Sequence, residues 1–326
     1  MRKFLKIVSI LLGSLLLLIS ILALYVKTSS LPTYEVNAPE LKISIDSAKV
    51  AEGYRIATAL CSQCHASEDG KLGGAFMEKS AIGNIHAPNI TQHPEHGIAK
   101  YTDGELALLL RTGIKRDGNY APPWMSKLPH LSDEDLESVI AFLKSDHPMV
   151  QASDKERGPI TYGLLGKALI KFGMFKPLPY PEEPVMAPKP TDKVAYGKYL
   201  ATAKYECYGC HSESFMKVDI MVPENTPAYF GGGNQLKNKK EEIILSKNLT
   251  MDPETGLGNW TEEEFIRAVK YGALPNGEGN RSPMLAYSQL SDQEVAAIWA
   301  YFKTLPIIKN EKVQSSKASQ AALTDR

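Results

Sequence analysis

The sequence predicts an all-α fold in which two tandem copies of one domain follow an N-terminal transmembrane helix. Three observations support this prediction: an uncharged apolar run near the N-terminus, a Cys-x-x-Cys-His pattern that occurs twice, and a constant spacing between matching residues of the two halves. The 326 residues suffice for two domains with separate cores. The 37 basic and 37 acidic residues balance, and the sequence has no basic stripe that would predict a nucleic-acid partner.

The N-terminal apolar run covers residues 7–26, and 20 residues without a charge are long enough to cross a bilayer as one helix. Three basic residues precede it, Arg2, Lys3 and Lys6, which predicts a cytoplasmic N-terminus. A cleaved secretory signal is the alternative, but its apolar region is usually shorter and ends at a small-x-small site, which residues 23–25 match poorly. We therefore expect residues 1–27 to be a single-pass anchor in the bacterial inner membrane, with the remainder in the periplasm.

The repeated pattern reads Cys61-Ser62-Gln63-Cys64-His65 and Cys207-Tyr208-Gly209-Cys210-His211, and it contains all four cysteines. Two thiols three positions apart can each add to one vinyl group of a haem, and the following histidine presents its imidazole to the iron. The pattern therefore predicts two covalently bound haem c groups. A structural zinc site would leave both histidines unexplained, and a thioredoxin-like redox pair requires a βαβ context that neither motif has.

Matching residues of the two halves lie 159 positions apart over a long stretch. Asn89-Ile90-Thr91 corresponds to Asn248-Leu249-Thr250, and Met125 corresponds to Met284. Such a constant offset indicates a duplicated domain. The second copy has 13 extra residues between its haem motif and Asn248. We assign them to a surface loop that includes Gly231 to Gly233 and a basic run, Lys237, Lys239 and Lys240, with a partner-docking rim as the alternative.

Each copy is predicted to contain three helices. The first leads into the haem motif, over about 48–60 and 194–205. The second opens with a capping box, Thr102-x-x-Glu105 or Thr261-x-x-Glu264, and ends at Gly113 or Gly272. The third begins at Ser132 or Ser291 and carries an amphipathic stripe. No strand pattern of useful length is visible.

A proline-rich segment separates the two copies and contains one apolar stretch, residues 160–175. Its apolar side chains share one helical face: Leu164, Leu165, Ala168, Leu169 and Phe172. The stretch is too short to span a membrane. We favour a helix that packs against a haem domain over an interfacial membrane helix.

The second axial position of each haem iron has a candidate ligand at Met125 and Met284. They lie 60 residues after His65 and 73 after His211, and they are the only methionines that coincide under the 159-residue offset. Four histidines of the first copy are alternatives without a counterpart in the second: His86, His93, His96 and His130. A thioether ligand closes the iron site and favours electron transfer. The predicted metal ligands are therefore His65 with Met125, and His211 with Met284.

Together these motifs make each copy resemble a class I cytochrome c domain. Residues 248–261 are similar to the corresponding stretch in the cytochrome c subunits of periplasmic alcohol, aldehyde and sugar dehydrogenases, although that group usually has three haem domains and this chain has two. The resemblance implies that four cysteines carry the haem thioethers, Cys61, Cys64, Cys207 and Cys210. It implies proximal ligands at His65 and His211 and distal ligands at Met125 and Met284.

These expectations divide the chain into six parts: an anchor (1–27), a linker (28–46), cytochrome c domain 1 (47–147), a proline-rich linker with a short helix (148–191), cytochrome c domain 2 (192–307) and a polar tail (308–326). They predict a membrane-anchored dihaem cytochrome that transfers electrons between a periplasmic dehydrogenase or quinol-oxidising complex and a downstream acceptor such as a terminal oxidase. We expect an electron-transfer protein or an oxidoreductase subunit, with no catalytic residue of its own. A dihaem peroxidase is the alternative enzyme, and a haem sensor or assembly subunit is a third hypothesis.

Overall fold

Helices form most of the regular structure in the computed structural model, which describes residues 1–313 except 157, 159, 239 and 240. The α-helices in this described part are α1 (Arg2–Thr28), α2 (Ser47–Leu60), α3 (Ser62–His65), α4 (Asp103–Thr112), α5 (Asp133–Leu143), α6 (Leu164–Lys171), α7 (Lys193–Tyr199), α8 (Cys207–Cys210), α9 (Glu262–Tyr271) and α10 (Asp292–Phe302). A π-helical turn, Leu200–Lys204, continues α7 toward the second haem motif. Residues 314–326, most of the predicted polar tail, lie outside the described part.

The all-α prediction needs a correction, because short antiparallel strands are also present. One sheet has the order β1 (Ala75–Ser80), β2 (Gly83–Ala87) and β3 (Thr161–Tyr162). A second sheet pairs β4 (Gln235–Lys237) with β5 (Ile243–Leu245). In the first, Ala75 pairs with Ala87 and Ser80 with Gly83, with an irregularity after Phe76. Strands β3, β4 and β5 have only two or three residues each, and β1 reads AFMEKS, without the alternation of apolar and polar residues that predicts a strand.

The two hairpins occupy equivalent places in the repeats. The amide of Gly74 donates to the carbonyl of His65 at 2.9 Å, and the amide of Gly232 donates to the carbonyl of His211 at 2.9 Å. Farther along, Ile90 N donates to Leu72 O and Leu249 N to Phe230 O. These matching bonds align Leu72 with Phe230.

This alignment changes the position assigned to the insertion in the second copy. Phe230 follows His211 by 19 positions, whereas Leu72 follows His65 by 7. Twelve of the 13 extra residues therefore lie before Phe230, and the predicted position around 231–240 was wrong. Sequence comparison alone missed this because the match at the edge of the insertion, Gly73-Gly74 with Gly231-Gly232, is too short to set the alignment. Lys237 ends β4, while Lys239 and Lys240 lie outside the described residues.

The helix boundaries predicted from capping patterns are confirmed. In α4, Glu105 N donates to Thr102 Oγ1 at 3.1 Å and Thr102 N donates to Glu105 Oε2 at 2.8 Å. The same reciprocal pair occurs at the start of α9 and of α10. Gly113 and Gly272 end α4 and α9 with φ of 84° and 71°, the left-handed conformation that favours glycine.

The chain divides into two compact units, each assembled from separate segments. Unit 1 contains Met1–Ile45, Cys61–Lys127 and Phe142–Tyr180. Unit 2 contains Asp46–Leu60, Leu128–Ala141 and the described chain from Pro181 onward. Two segments that belong to the first repeat in sequence are therefore part of unit 2.

An aromatic cluster forms the core of unit 2. The ring centroids of Phe230 and Phe302 lie 4.8 Å apart, and those of Phe265 and Trp299 lie 5.2 Å apart. All four side chains are buried. Close approach of α7 to α10 completes this core, because a Cβ at Gly197 would overlap the backbone at Ala297.

Unit 2 also buries a network of charged side chains. Lys204, 4% exposed, donates to Glu52 Oε1 at 2.6 Å and to Asp135 Oδ1 at 3.0 Å. Arg55 pairs with Glu52 and with buried Glu294. Buried charges require such partners, since removing a charge from water is costly. The network links α2 with the π-helical turn that precedes Cys207.

Glycine is required where the chain after the Asn-x-Thr motif folds back. At Gly256, a Cβ would fall well inside van der Waals contact of the Thr250 carbonyl oxygen, and Gly97 has the same relation to Thr91. We expect Gly256→Ala to lower the free energy of unfolding by about 1–3 kcal/mol, the usual cost of overpacking. Chemical denaturation followed by far-UV circular dichroism would measure it. Gly279→Ala in the same unit is the control, because its Cβ would meet only one atom, at 3.9 Å; equal losses would contradict this explanation.

Candidate functional site

Each Cys-x-x-Cys-His motif begins with a single helical turn. In unit 1, His65 N donates to Cys61 O at 2.9 Å and Cys64 N donates to the same oxygen at 3.2 Å. In unit 2, His211 N donates to Cys207 O at 3.0 Å. Residues three and four apart share one face of a helical turn. The spacing of the motif therefore brings both thiols and the imidazole to one side of the backbone.

Burial disfavours the thiolate form of the cysteines in both motifs. None of the four cysteines is in a disulfide. Burial raises the pKa of Cys61 and of Cys207 to about 12, so both thiols are protonated near neutral pH. A reactive redox pair requires thiolate, which this burial disfavours. Among the described residues, no three His, Cys, Asp or Glu side chains form a group that could hold a metal ion.

A backbone carbonyl orients each histidine of the two motifs. His65 Nδ1 lies 2.8 Å from the Pro88 carbonyl oxygen, and His211 Nδ1 lies 2.9 Å from that of Lys247. A carbonyl oxygen can only accept, so Nδ1 carries the proton and donates. The lone pair of Nε2 is then available to a metal, the arrangement typical of metal-binding histidine. Burial lowers the pKa of both imidazoles, which favours the neutral form that binds iron.

The Asn-x-Thr motif supports these carbonyls. Asn89 Oδ1 accepts from Thr91 N at 2.9 Å and from Thr91 Oγ1 at 2.6 Å. Asn248 makes the same two bonds to Thr250, at 2.9 and 2.8 Å. All four side chains are buried. Pro88 and Lys247 directly precede the two asparagines, so this rigid turn holds each acceptor carbonyl in place.

The two candidate methionines occupy matching backbone turns. Met125 N donates to Pro122 O and Met284 N donates to Arg281 O, both at 3.0 Å. Met125 belongs to unit 1 with His65, and Met284 belongs to unit 2 with His211. Both methionine side chains are half-buried. The duplicated turn thus places one candidate distal residue in the same unit as each proximal candidate.

Sequence reasoning missed Lys127, which packs beside the Met125 turn. Its side chain is 1% exposed, and Nζ donates to the carbonyl of Pro122, the first residue of that turn. Nζ also lies 4.7 Å from the ring centroid of Tyr120, a cation–π distance. The equivalent position in unit 2 is Ala286. Because the feature is not duplicated, comparison of the repeats did not reveal it.

The histidines considered as alternative ligands have other neighbours. His93 and His96 stack with ring centroids 4.8 Å apart, and His86 packs edge-on to Phe76. His130 Nε2 lies 3.0 Å from the Met221 carbonyl oxygen and belongs to unit 2. Nothing in these contacts resembles the matching environments of the two motif histidines.

Comparison with known proteins finds sequences similar to both halves of this chain. The family model described as Cytochrome c matches residues 50–146 and 194–306. The cytochrome c subunit of an alcohol dehydrogenase (quinone) from Gluconobacter oxydans is 30% identical over 264 residues, which cover 77% of this chain and 53% of the relative. The fructose dehydrogenase cytochrome subunit of Gluconobacter japonicus is 27% identical, covering 79% of this chain and 52% of the relative.

A third relative is closer in length. A diheme cytochrome c-type protein from Cereibacter sphaeroides is 24% identical, and the match covers 76% of this chain and 83% of the relative. By contrast, this chain spans about half the length of the dehydrogenase subunits it matches. None of these three relatives is named as a peroxidase, so they give the peroxidase alternative no support.

Proposed function

Because this chain belongs to the cytochrome c family and binds haem c covalently, we propose that it is a membrane-anchored dihaem electron carrier. The observation that carries the proposal is the duplicated histidine environment, in which each Nδ1 donates to an equivalent carbonyl at 2.8 or 2.9 Å. Two such environments in one chain support two redox centres. The dihaem relative from Cereibacter sphaeroides supports the same number.

The residues present fit haem c in both units. Haem c, when bound, supplies an iron centre that takes up and releases one electron. The thiols of four cysteines would hold the two groups: Cys61, Cys64, Cys207 and Cys210. His65 and His211 would offer Nε2 to the iron, and the oriented Nδ1–H bonds would keep each ring from rotating. Met125 and Met284 would close the sixth positions and exclude water and peroxide.

The α1 helix supports attachment to a membrane. It is the one helix in the described residues with the length and apolar composition of a membrane span, although an N-terminal signal sequence has the same properties. Its side chains are almost all exposed, as expected of a helix surrounded by lipid. With the positive residues at its N-terminus, the haem domains would lie in the periplasm.

The relatives suggest the class of electron donor. Two of them are named as cytochrome subunits of alcohol and fructose dehydrogenases. We propose a periplasmic dehydrogenase as donor, with a quinol-oxidising complex as the alternative donor and a terminal oxidase as an acceptor. A tether would keep the carrier concentrated near such membrane partners.

Redox measurements on the purified full-length holoprotein test this function. We expect two haems per chain, reversible exchange of electrons with a dehydrogenase or an electrode-bound mediator, and two methionine-to-iron bands in near-infrared magnetic circular dichroism. Failure to exchange electrons with any mediator would contradict the proposal. Steady turnover of peroxide with a reduced dye would instead support the peroxidase alternative.

A further inference from the structure

The helix α6 leaves a continuous apolar surface exposed. Leu165 and Phe172 lie two helical turns apart on one side and are 49% and 56% exposed. Leu164 is 50% exposed, and Met174, just beyond the helix, is 71% exposed. Exposure of four large apolar side chains over eleven residues is costly in water. An exposed apolar surface of this size indicates that another apolar surface covers it in the functional protein.

The opposite side of α6 is firmly packed in unit 1. Gly166 and Ile170 are its buried residues, and a Cβ at Gly166 would overlap the Ile82 carbonyl in the β1–β2 turn. The strand β3, which pairs with β2, leads directly into α6. The helix therefore has no freedom to turn its apolar side inward. The prediction that this helix packs against a haem domain explains its buried side, with Gly166 and Ile170, but leaves its exposed apolar side unexplained.

Contacts with the end of α1 show the depth at which α6 lies. Lys171 Nζ donates to the Ser30 carbonyl and sits 5.3 Å from the ring centroid of Tyr25. Lys167 Nζ donates to the Lys27 carbonyl at 3.5 Å. All three contacts are with the last turn of α1 or the residues just after it.

The length of α1 indicates the depth in the bilayer at which α6 lies. Its apolar run, residues 7–26, spans about 30 Å at about 1.5 Å per residue, which matches the hydrocarbon thickness. Residues 27–30 then leave the hydrocarbon and enter the headgroup layer. Since α6 contacts these residues, it lies at the same level.

The chain that follows α1 holds unit 1 close to this exit. Tyr34 N donates to Gly118 O at 2.8 Å, and Ile43 N donates to Asp103 Oδ2 at 2.8 Å. The segment expected to be a linker is thus attached to unit 1 within a few residues of the membrane helix. The same unit carries α6.

We propose that α6, with Phe172 and Met174, is an interfacial membrane helix resting on the bilayer that α1 spans. Its leucine, phenylalanine and methionine side chains enter the boundary of the acyl chains, while Lys167 and Lys171 stay at the headgroup level, bonded to the carbonyls of Lys27 and Ser30. The lipid surface is the occupant because α6 contacts the end of α1 at the level where the membrane-spanning run ends. This inference goes beyond electron transfer, and it rests on the proposed function only in requiring that α1 stays in the membrane.

Photolabelling from within the bilayer tests the proposal. The full-length holoprotein is reconstituted into phosphatidylcholine and phosphatidylglycerol vesicles that contain a lipid with a diazirine in its acyl chain, and adducts are mapped by mass spectrometry. We expect adducts on α1 and on residues 164–174. The double variant Leu165→Glu and Phe172→Glu should lose most adducts on 164–174 and keep those on α1.

An exposed apolar segment of unit 2 provides the matched control. Phe215 and Met216 are 51% and 73% exposed, so adducts there measure the labelling that exposure alone produces. Adducts on α1 but none on 164–174 would overturn the interfacial helix while leaving the anchor intact. Absence of adducts on α1 would contradict the membrane anchor itself and the inference with it.

Discussion

Replacement of Met284 by histidine is expected to lower the midpoint potential of one haem and leave the other nearly unchanged. A thioether stabilises ferrous iron, whereas a second imidazole favours the ferric state, and axial ligands set potentials over a range of about 0.8 V. We expect the shift to be an appreciable part of that range. Spectroelectrochemical titration of the full-length protein measures both potentials. Histidine is chosen because its imidazole would itself bind the iron in place of the thioether.

Near-infrared magnetic circular dichroism gives an independent signal of the same change. One of the two expected methionine-to-iron bands should disappear in Met284→His, and the other in Met125→His. Met216→His is the matched control, since Met216 lies in unit 2 and is 73% exposed. If either ligand variant retained both bands and both potentials, that methionine would not be a distal ligand.

Replacement of Lys204 by methionine is expected to destabilise unit 2 by about 3–5 kcal/mol, the usual cost of breaking a buried ion pair. In the natural chain, Lys204 Nζ lies 2.6 Å from Glu52 Oε1 and 3.0 Å from Asp135 Oδ1. The variant keeps the apolar part of the side chain but leaves both carboxylates without this shared cation. Guanidinium denaturation of the holoprotein measures the loss. Lys217→Met is the control, because its pair with Glu213 is exposed and should contribute less than about 1 kcal/mol. Similar losses in both variants would show that the network adds little.

The same network predicts how the effect depends on pH. Burial alone would raise the pKa of Glu52, but attraction to Lys204 and Arg55 and the hydrogen bonds from both outweigh burial, so the pKa falls below its usual 4.5. A carboxyl with a lowered pKa contributes stability above its usual pKa and loses that contribution as the pH falls. The difference between the natural chain and Lys204→Met should therefore shrink below about pH 4.5.

Local patterns predicted most of the site and much of the fold. The haem motifs lie within five residues, and the capping boxes of α4 and α9 lie within four, so each is complete in a short stretch of sequence. The duplicated methionines became visible once the repeat was aligned. Aligning the repeat did not reveal the strands β1 to β5 or the position of the insertion, because strand pairing and loop closure depend on partners elsewhere in the chain.

The cofactor chemistry, the duplication and the apolar N-terminal helix could be predicted from the order of residues alone, since each is carried by short stretches of sequence. The three-dimensional fold set which carbonyls orient His65 and His211, because a backbone acceptor has no side-chain signature. It also decided the pairing of Lys204 with Glu52, 152 positions away, and the exposure of the apolar side of α6 beside the end of α1. Such contacts join distant residues through space, and the order of residues along the chain does not encode them as a local pattern.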